Sequence, residues 1–358
     1  MVKKYIALFM LVVMSASLMG CSASKGAGSQ TEETAKVEKS DKIKIGTSPY
    51  PAWYIWYIAQ EEGLFTKYGL DVELVYFPVY SDSLQAFNSG NIDLLNIATC
   101  DTIAPYNEGV DFKVVLINDN SNGADGLVAK KAYNSVADLK GQRVVTEYGT
   151  IEHFFLLKAL ESVGLTEKDI EYTNMTVNDS GTAMVAGAVE AACVWEPSLT
   201  LALNNGENNL LYSSADTPGL IPDLVIASTK LIEKDKDKVT NLVNVWYHAL
   251  AFYNENPDKA IEDMAKYAEV STEDMKGMMA GSRLFSMQEN LSAMTQKKDD
   301  YSYLPYTITE TAKFLQKVEM IDKIPEKPED MIDTSFIEEV MKSRENFDAP
   351  DTKALASK

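Results

Sequence analysis

The chain has 358 residues, more than one ordinary hydrophobic core accommodates, which points to about two lobes. With 46% hydrophobic and 24% charged residues it is globular for most of its length. A formal net charge of −20 excludes nucleic acid as a partner, because phosphate backbones are held by basic surfaces.

Lys3 and Lys4 lead into the apolar run Tyr5 to Met14, and Leu18-Met19-Gly20-Cys21 follows, the layout of a secretory signal peptide. The run is short for a stable transmembrane helix. Leu-Met-Gly-Cys resembles the lipobox of bacterial lipoproteins. Residues 1–20 are therefore expected to be a lipoprotein signal peptide, and Cys21 the lipidated residue that anchors an extracytoplasmic protein to the bacterial cell membrane. Residues 21–41, rich in Ser, Gly, Thr, Glu and Lys, read as a disordered tether. The remaining cysteines, Cys100 and Cys193, lie in apolar, strand-like stretches and are expected as buried thiols. His153 and His248 are far apart, so neither a metal site nor a cofactor is expected.

From Lys42 the chain alternates strands with helices. Ile43 to Thr47, Val72 to Phe77, Ile92 to Ala98 and Phe112 to Ile117 read as strands, with helices from Trp53 to Phe65, Ser83 to Asn88 and Thr99 to Asn107 between them. A second, similar series follows, with strands Arg143 to Thr146, Ile170 to Met175 and Val189 to Trp195. Its helices are Val136 to Lys140, Thr150 to Ser162 and Gly181 to Ala186. The alternation predicts mainly parallel sheets. Gly69-Leu70 and Gly90-Asn91 in the first series echo Gly164-Leu165 and Gly187-Ala188 in the second, a weak internal repeat and hence two lobes of like topology. Stretches 118–128 and 213–224 read as loop-like crossovers between the lobes. Helices fill the rest, with Met275, Met278, Met279 and Met287 as packing residues, and the chain is expected to fray after Ser343.

The buried strand that ends in Trp195 breaks at Glu196-Pro197, just before a helix. In open α/β sheets ligands sit beyond the carboxyl ends of strands, so Trp195 and Glu196 are candidate ligand contacts. Glu196 as a helix cap is the competing role. By the same placement Trp53, Thr99 and Asp101 follow strands, while Asn120, Asp125 and Asp223 lie in the crossovers, where hinge hydrogen bonding competes. Gly149 and Thr150 open a helix whose amides could hold an anionic or carbonyl group, with Glu152 and His153 behind them.

Several pieces together carry a family likeness: Gly63-Leu64-Phe65 before Tyr68-Gly69-Leu70-Asp71-Val72-Glu73-Leu74; Ser89-Gly90-Asn91-Ile92-Asp93; Ser135-Val136-Ala137-Asp138-Leu139-Lys140-Gly141; Gly149-Thr150 before His153; Val194-Trp195-Glu196-Pro197; and Asn254-Glu255-Asn256-Pro257. From Ile43 to about Asp258 the chain resembles the solute-binding proteins of ATP-driven importers in the nitrate, sulfonate and taurine group, which includes binders of thiamine pyrimidine precursors. The resemblance implies a periplasmic-binding-protein type II fold, two α/β lobes joined by a two-strand hinge. Lobe 1 would be residues 42–120 and 224–358, and lobe 2 residues 121–223. It also implies a small-molecule solute, ABC permease and ATPase partners, and a monomer.

The residues resist an anion. Arginine occurs only as Arg143, Arg283 and Arg344, whereas the loops expected at the cleft carry Asp101, Asp119, Asp125, Glu147, Glu152, Glu196 and Asp223 among Trp53, Trp56, Tyr148 and Trp195. Carboxylates pair with or accept N–H bonds from nitrogenous groups, and aromatic faces add cation–π or stacking energy. The expected ligand is thus a small nitrogen-bearing solute: an amine, an amidine- or urea-like compound, or an aminopyrimidine. Taurine, alkanesulfonates and nitrate are the alternatives. No nucleophile–base pair or phosphate-cradling glycine motif argues for an enzyme, though a eukaryotic branch with this type of fold makes a thiamine pyrimidine. A receptor subunit reporting to a membrane sensor would read the same.

Overall fold

The computed structural model describes residues 42–344; the signal peptide, Cys21, the tether and the segment beyond Arg344 lie outside the described residues. Strand β1 (Ile43–Thr47) opens the fold with Ile43 and Ile45 buried and Lys44 exposed between them. In chain order follow β2 (Val72–Tyr76), β3 (Leu94–Ala98), β4 (Phe112–Ser121), β5 (Asp125–Lys130), β6 (Arg143–Thr146), β7 (Glu171–Asn174), β8 (Ala191–Trp195), β9 (Asn208–Ser213), β10 (Pro222–Ser228) and β11 (Ser282–Leu284). Among the described residues they form two sheets, ordered β11-β4-β10-β3-β1-β2 and β7-β6-β8-β5-β9.

The sheets are mixed rather than mainly parallel. β1 pairs in parallel with β2 and β3, and β6 with β7 and β8. β10, however, runs antiparallel between β3 and β4, and β5 antiparallel between β8 and β9. The cause is the double crossing: the chain leaves the first sheet along β4 and returns along β10, so the two crossing strands run in opposite directions. Residues Asn118 to Ser121, expected in a loop, belong to β4. Their polar side chains hide a full backbone ladder, with β10 on one side and β11 on the other.

The echo between the two halves has a structural basis. Gly69, Gly90, Gly164 and Gly187 all have φ between 65° and 74° and end helical turns. In each case the following amide reaches back five residues: Leu70 to Phe65, Asn91 to Ala86, Leu165 to Leu160 and Ala188 to Ala183. That is the Schellman closure, which needs a left-handed residue and favours glycine.

Helices cover both sheets. Trp56, on the helix Ile55–Glu61, lies 5.1 Å ring to ring from Trp246 on the helix Lys236–Glu255, which Asn256 ends before Pro257 starts the next. Met275, Met278 and Met279 are buried and Met287 partly so. The helix Leu304–Lys317 also reaches the second sheet's layer: Phe314 meets Phe154 edge to face at 5.4 Å, and Lys317 Nζ lies 2.5 Å from Glu161.

Candidate functional site

The strand registers bring the candidate residues together. Asp223, near the start of β10, stands opposite Ala98 at the end of β3 and opposite Asp119 of β4, while Asp125, at the start of β5, stands opposite Trp195 at the end of β8. A small cavity lies between the two sheets at these strand ends. Asp125, Asp223, Trp53 and Trp195 line it, as the sequence leads one to expect. Tyr50, Tyr80 and Ile151 line it too and were not anticipated. Tyr80 begins the helix Tyr80–Asn88, three residues earlier than the sequence pattern indicates.

The lobes meet across this cavity. Trp195 Nε1 donates to the Pro49 carbonyl at 2.9 Å, and the Trp195 and Tyr80 rings are 5.4 Å apart at 85°. The Ser81 amide donates to Glu147 Oε1 at 3.2 Å, and Asn178 Nδ2 to the Pro78 carbonyl at 3.0 Å. The space left at the centre is about 10 Å³ for the centre of a water-sized sphere, room for about one water. Replacing Trp195 by Phe keeps the ring and removes the donor. A neutral hydrogen bond is worth about 0.5–1.5 kcal/mol, so Trp195→Phe should weaken solute affinity roughly threefold to tenfold and raise the unliganded radius of gyration in solution scattering. Unchanged affinity and radius would show that this bond does not hold the lobes together.

All seven carboxylates at the expected cleft are buried, whereas a strongly acidic chain would ordinarily leave most of them in solvent. Asp101 accepts from Tyr80 Oη at 2.8 Å and from the Ile151 amide at 3.2 Å, and burial nevertheless pushes its pKa up to about 7. Asp125 accepts from Ser121 Oγ and is pushed up to about 6 by burial. Asp119 accepts from Tyr50 Oη at 3.1 Å through Oδ2, while its Oδ1 has no partner. Burial raises Asp119, Glu152 and Asp223 well above the usual carboxylate range, and neighbouring negative charges add to it: Asp125 for the first two, Asp119 for Asp223. Glu152 lies beside Asp125 and Cys193, but no hydrogen bond of good geometry reaches either of its oxygens.

Among the described residues no lysine or arginine pairs with Asp101, Asp119, Asp125, Glu147, Glu152 or Asp223. Arg143, at the start of β6, donates to Ala188 and lies 3.4 Å from Glu190, and Arg283 pairs with Glu289 at 2.6 Å.

Other candidates have structural employment. Glu196, joined to Pro197 by a cis peptide bond, accepts from the Thr200 amide at 2.9 Å and the Thr200 hydroxyl at 2.8 Å, the capping role. His153 does not line the cavity: it stacks on Tyr172 with ring centroids 4.9 Å apart, and its Nε2 lies 2.6 Å from Glu167 Oε2. Thr99 donates to the Pro222 carbonyl at 2.7 Å, tying β3 to β10, and Thr150 to the Glu147 carbonyl at 2.9 Å. Asn120 lines a separate groove with Arg283 and Tyr301. Trp56 is core, and Tyr148 is 61% exposed. At the helix start, the Gly149 amide donates to His153 Nδ1 at 3.3 Å and the Ile151 amide to Asp101 Oδ2 at 3.2 Å, so both donors are taken up by the protein's own side chains, one of them a carboxyl group.

This architecture is shared with proteins of known structure. The periplasmic aliphatic sulphonate-binding protein SsuA from Escherichia coli superposes with a TM-score of 0.65 at 21% identity, covering 79% of this chain and 94% of that one. A ligand-binding component of an ABC-type import system from Staphylococcus aureus superposes with a TM-score of 0.67 at 17% identity, covering 84% and 98%. The fold is therefore the two-lobed periplasmic-binding-protein fold, type II. In sequence, a relative from Bacillus subtilis (strain 168), whose name assigns it aliphatic sulfonates provisionally, is 25% identical over 342 residues, 93% of this chain and 96% of the relative. The taurine-binding periplasmic protein of Escherichia coli (strain K12) is 22% identical over 78% of this chain and 88% of its own length. The NMT1/THI5-like family model matches residues 51–260, more than half of the chain, and the chain belongs to that family.

Proposed function

We propose that the protein is the extracytoplasmic solute-binding component of an ATP-driven importer, held at the cell membrane through Cys21. It captures a small nitrogen-bearing organic solute between its lobes, which part and close about the crossings at 118–124 and 213–224, and hands it to a permease and its ATPase. The relatives support the class, since two are named as binding proteins and one solved neighbour as the ligand-binding component of an ABC-type import system.

The observation that carries the ligand class is the charge around the cavity. Asp125 and Asp223 face it, Asp101 takes the Ile151 amide at the helix start beside it, and among the described residues no lysine or arginine pairs with any of the three. A sulfonate or nitrate placed there would meet uncompensated carboxyl groups, whereas an amine, amidinium or aminopyrimidine would satisfy them. The names of the relatives favour the second reading, taurine or an alkanesulfonate.

Thermal unfolding against taurine, alkanesulfonates, nitrate, aminopyrimidines, polyamines, urea and guanidinium compounds separates the two. A ligand at about 100 times its dissociation constant adds about 2.7 kcal/mol, a readable melting shift. Shifts confined to nitrogenous compounds without an acid group are expected; a shift with ethanesulfonate or nitrate alone would overturn the assignment.

A further inference from the structure

We propose that the part of the solute seated in the cavity is a compact organic ammonium, boxed by Tyr50, Trp53, Tyr80 and Trp195 and faced by Asp125 and Asp223. This rests on the cavity being the solute site, and narrows the nitrogenous class to one member.

The four rings follow one another around the cavity: Tyr50 to Trp53 at 5.3 Å and 51°, Trp53 to Tyr80 at 5.8 Å and 45°, Tyr80 to Trp195 at 5.4 Å and 85°. None of these neighbours is parallel. A planar heterocycle gains most from two near-parallel faces that sandwich it, and no adjacent pair in this ring sequence offers such a slot. Inclined faces instead bound a corner, and a rounded cation in a corner meets several ring faces at once, each attracting it through its quadrupole.

Charge and size agree with that shape. Asp125 and Asp223 enter the same cavity and have no cationic partner among the described residues, so a cationic ligand is what lets both ionise while buried. The space between the rings holds about one water, so only a small group enters without large rearrangement. The indole N–H of Trp53 is buried without a partner. A ligand with an acceptor atom beside its ammonium group would satisfy it.

The test is melting and calorimetry of the full-length protein with methylammonium, ethylammonium, 4-aminopyrimidine and ethanesulfonate, each at about 10 mM with ionic strength matched by sodium chloride. Stabilisation by at least one of the two ammonium ions is expected. Trp53→Phe, which keeps a ring, should weaken that binding less than Trp53→Leu, which should weaken it by about tenfold or more. Circular dichroism of both variants separates lost binding from lost folding. Stabilisation by 4-aminopyrimidine alone would overturn the ammonium box and leave the nitrogenous reading standing. Stabilisation by ethanesulfonate alone would overturn both. No shift with either ammonium ion, or equal affinity of Trp53→Leu and the parent, would also overturn the box.

Discussion

Without added solute, the unfolding temperature should fall as pH rises from about 4 to about 8, the reverse of the behaviour expected where native carboxylates are salt-bridged. In the folded protein Asp101 titrates near about 7 and Asp125 near about 6, against 3.8 for a free aspartate. Asp119, Glu152 and Asp223 are raised as well. The native state therefore binds more protons than the unfolded chain across this window. Stability is fully present below the unfolded pKa and is lost as pH climbs through the folded values, first near Asp125 and then near Asp101. A pKa that differs by one between the folded and unfolded chain is worth about 1.36 kcal/mol, so these two groups alone contribute several kcal/mol, on the order of 10 °C in melting temperature. Opposing groups are weak: Glu61, Asp138, Glu161, Asp169 and Asp300 are lowered by hydrogen bonds, but they lie at or near the surface, where solvent screens them. Calorimetry across the range checks this. A melting temperature that rises steadily with pH would mean that the buried carboxyl groups stay ionised.

Trp56→Ala should be the most destabilising single truncation in the first lobe, at about 3–5 kcal/mol. Trp56 is fully buried, stacks on Phe65 at 6.2 Å and 14°, and packs against Trp246. Its Nε1 donates to Asn96 Oδ1 at 3.0 Å, the same oxygen that accepts from Asn118 Nδ2 of β4 at 2.9 Å. Asn96 in turn donates to the Gly46 carbonyl at 3.0 Å, so one indole supports β1, β3 and the crossing strand β4 together. Removing it leaves a large cavity beneath the hinge, although Asn96 keeps its bond to Asn118. Chemical denaturation gives the loss directly. A cost below about 1 kcal/mol would mean that the site collapses freely around the gap.

How much of this was legible in the chain depends on whether a feature is local. Hydrophobic patterning located β1 to β4 and β6 to β8, but β5, β9, β10 and β11 were not read as strands: Asp125 and Asp223, expected in loop-like crossovers, lie at or near the starts of β5 and β10, and the registers bring them to Trp195. Asn118 to Ser121 misled because polar composition reads as loop, while the ladder that makes them a strand comes from β10 and β11, far away in sequence. Tyr80 was hidden for a related reason. Its helix begins without a side-chain cap, so Ser83 looked like the start, and the buried bond from Tyr80 to Asp101 is tertiary. Glu196 had two open roles, and its bonds to Thr200 show the capping one, while the contact of His153 with Glu167 is tertiary and unreadable from the helix that carries it. The acidity of the cleft was readable as a list of residues. That all seven are buried was not, since the burial of a carboxylate depends on tertiary neighbours rather than on its own stretch of chain.

The most direct test of an acidic, cation-selecting cleft is the affinity for the solute that stabilises the protein, measured from about pH 5 to about pH 8. A cation needs ionised Asp125 and Asp223, so its binding should release protons and tighten as pH rises. An affinity that weakens over the same range, as an anion competing with newly formed carboxylates would show, would contradict cation selection by this cleft.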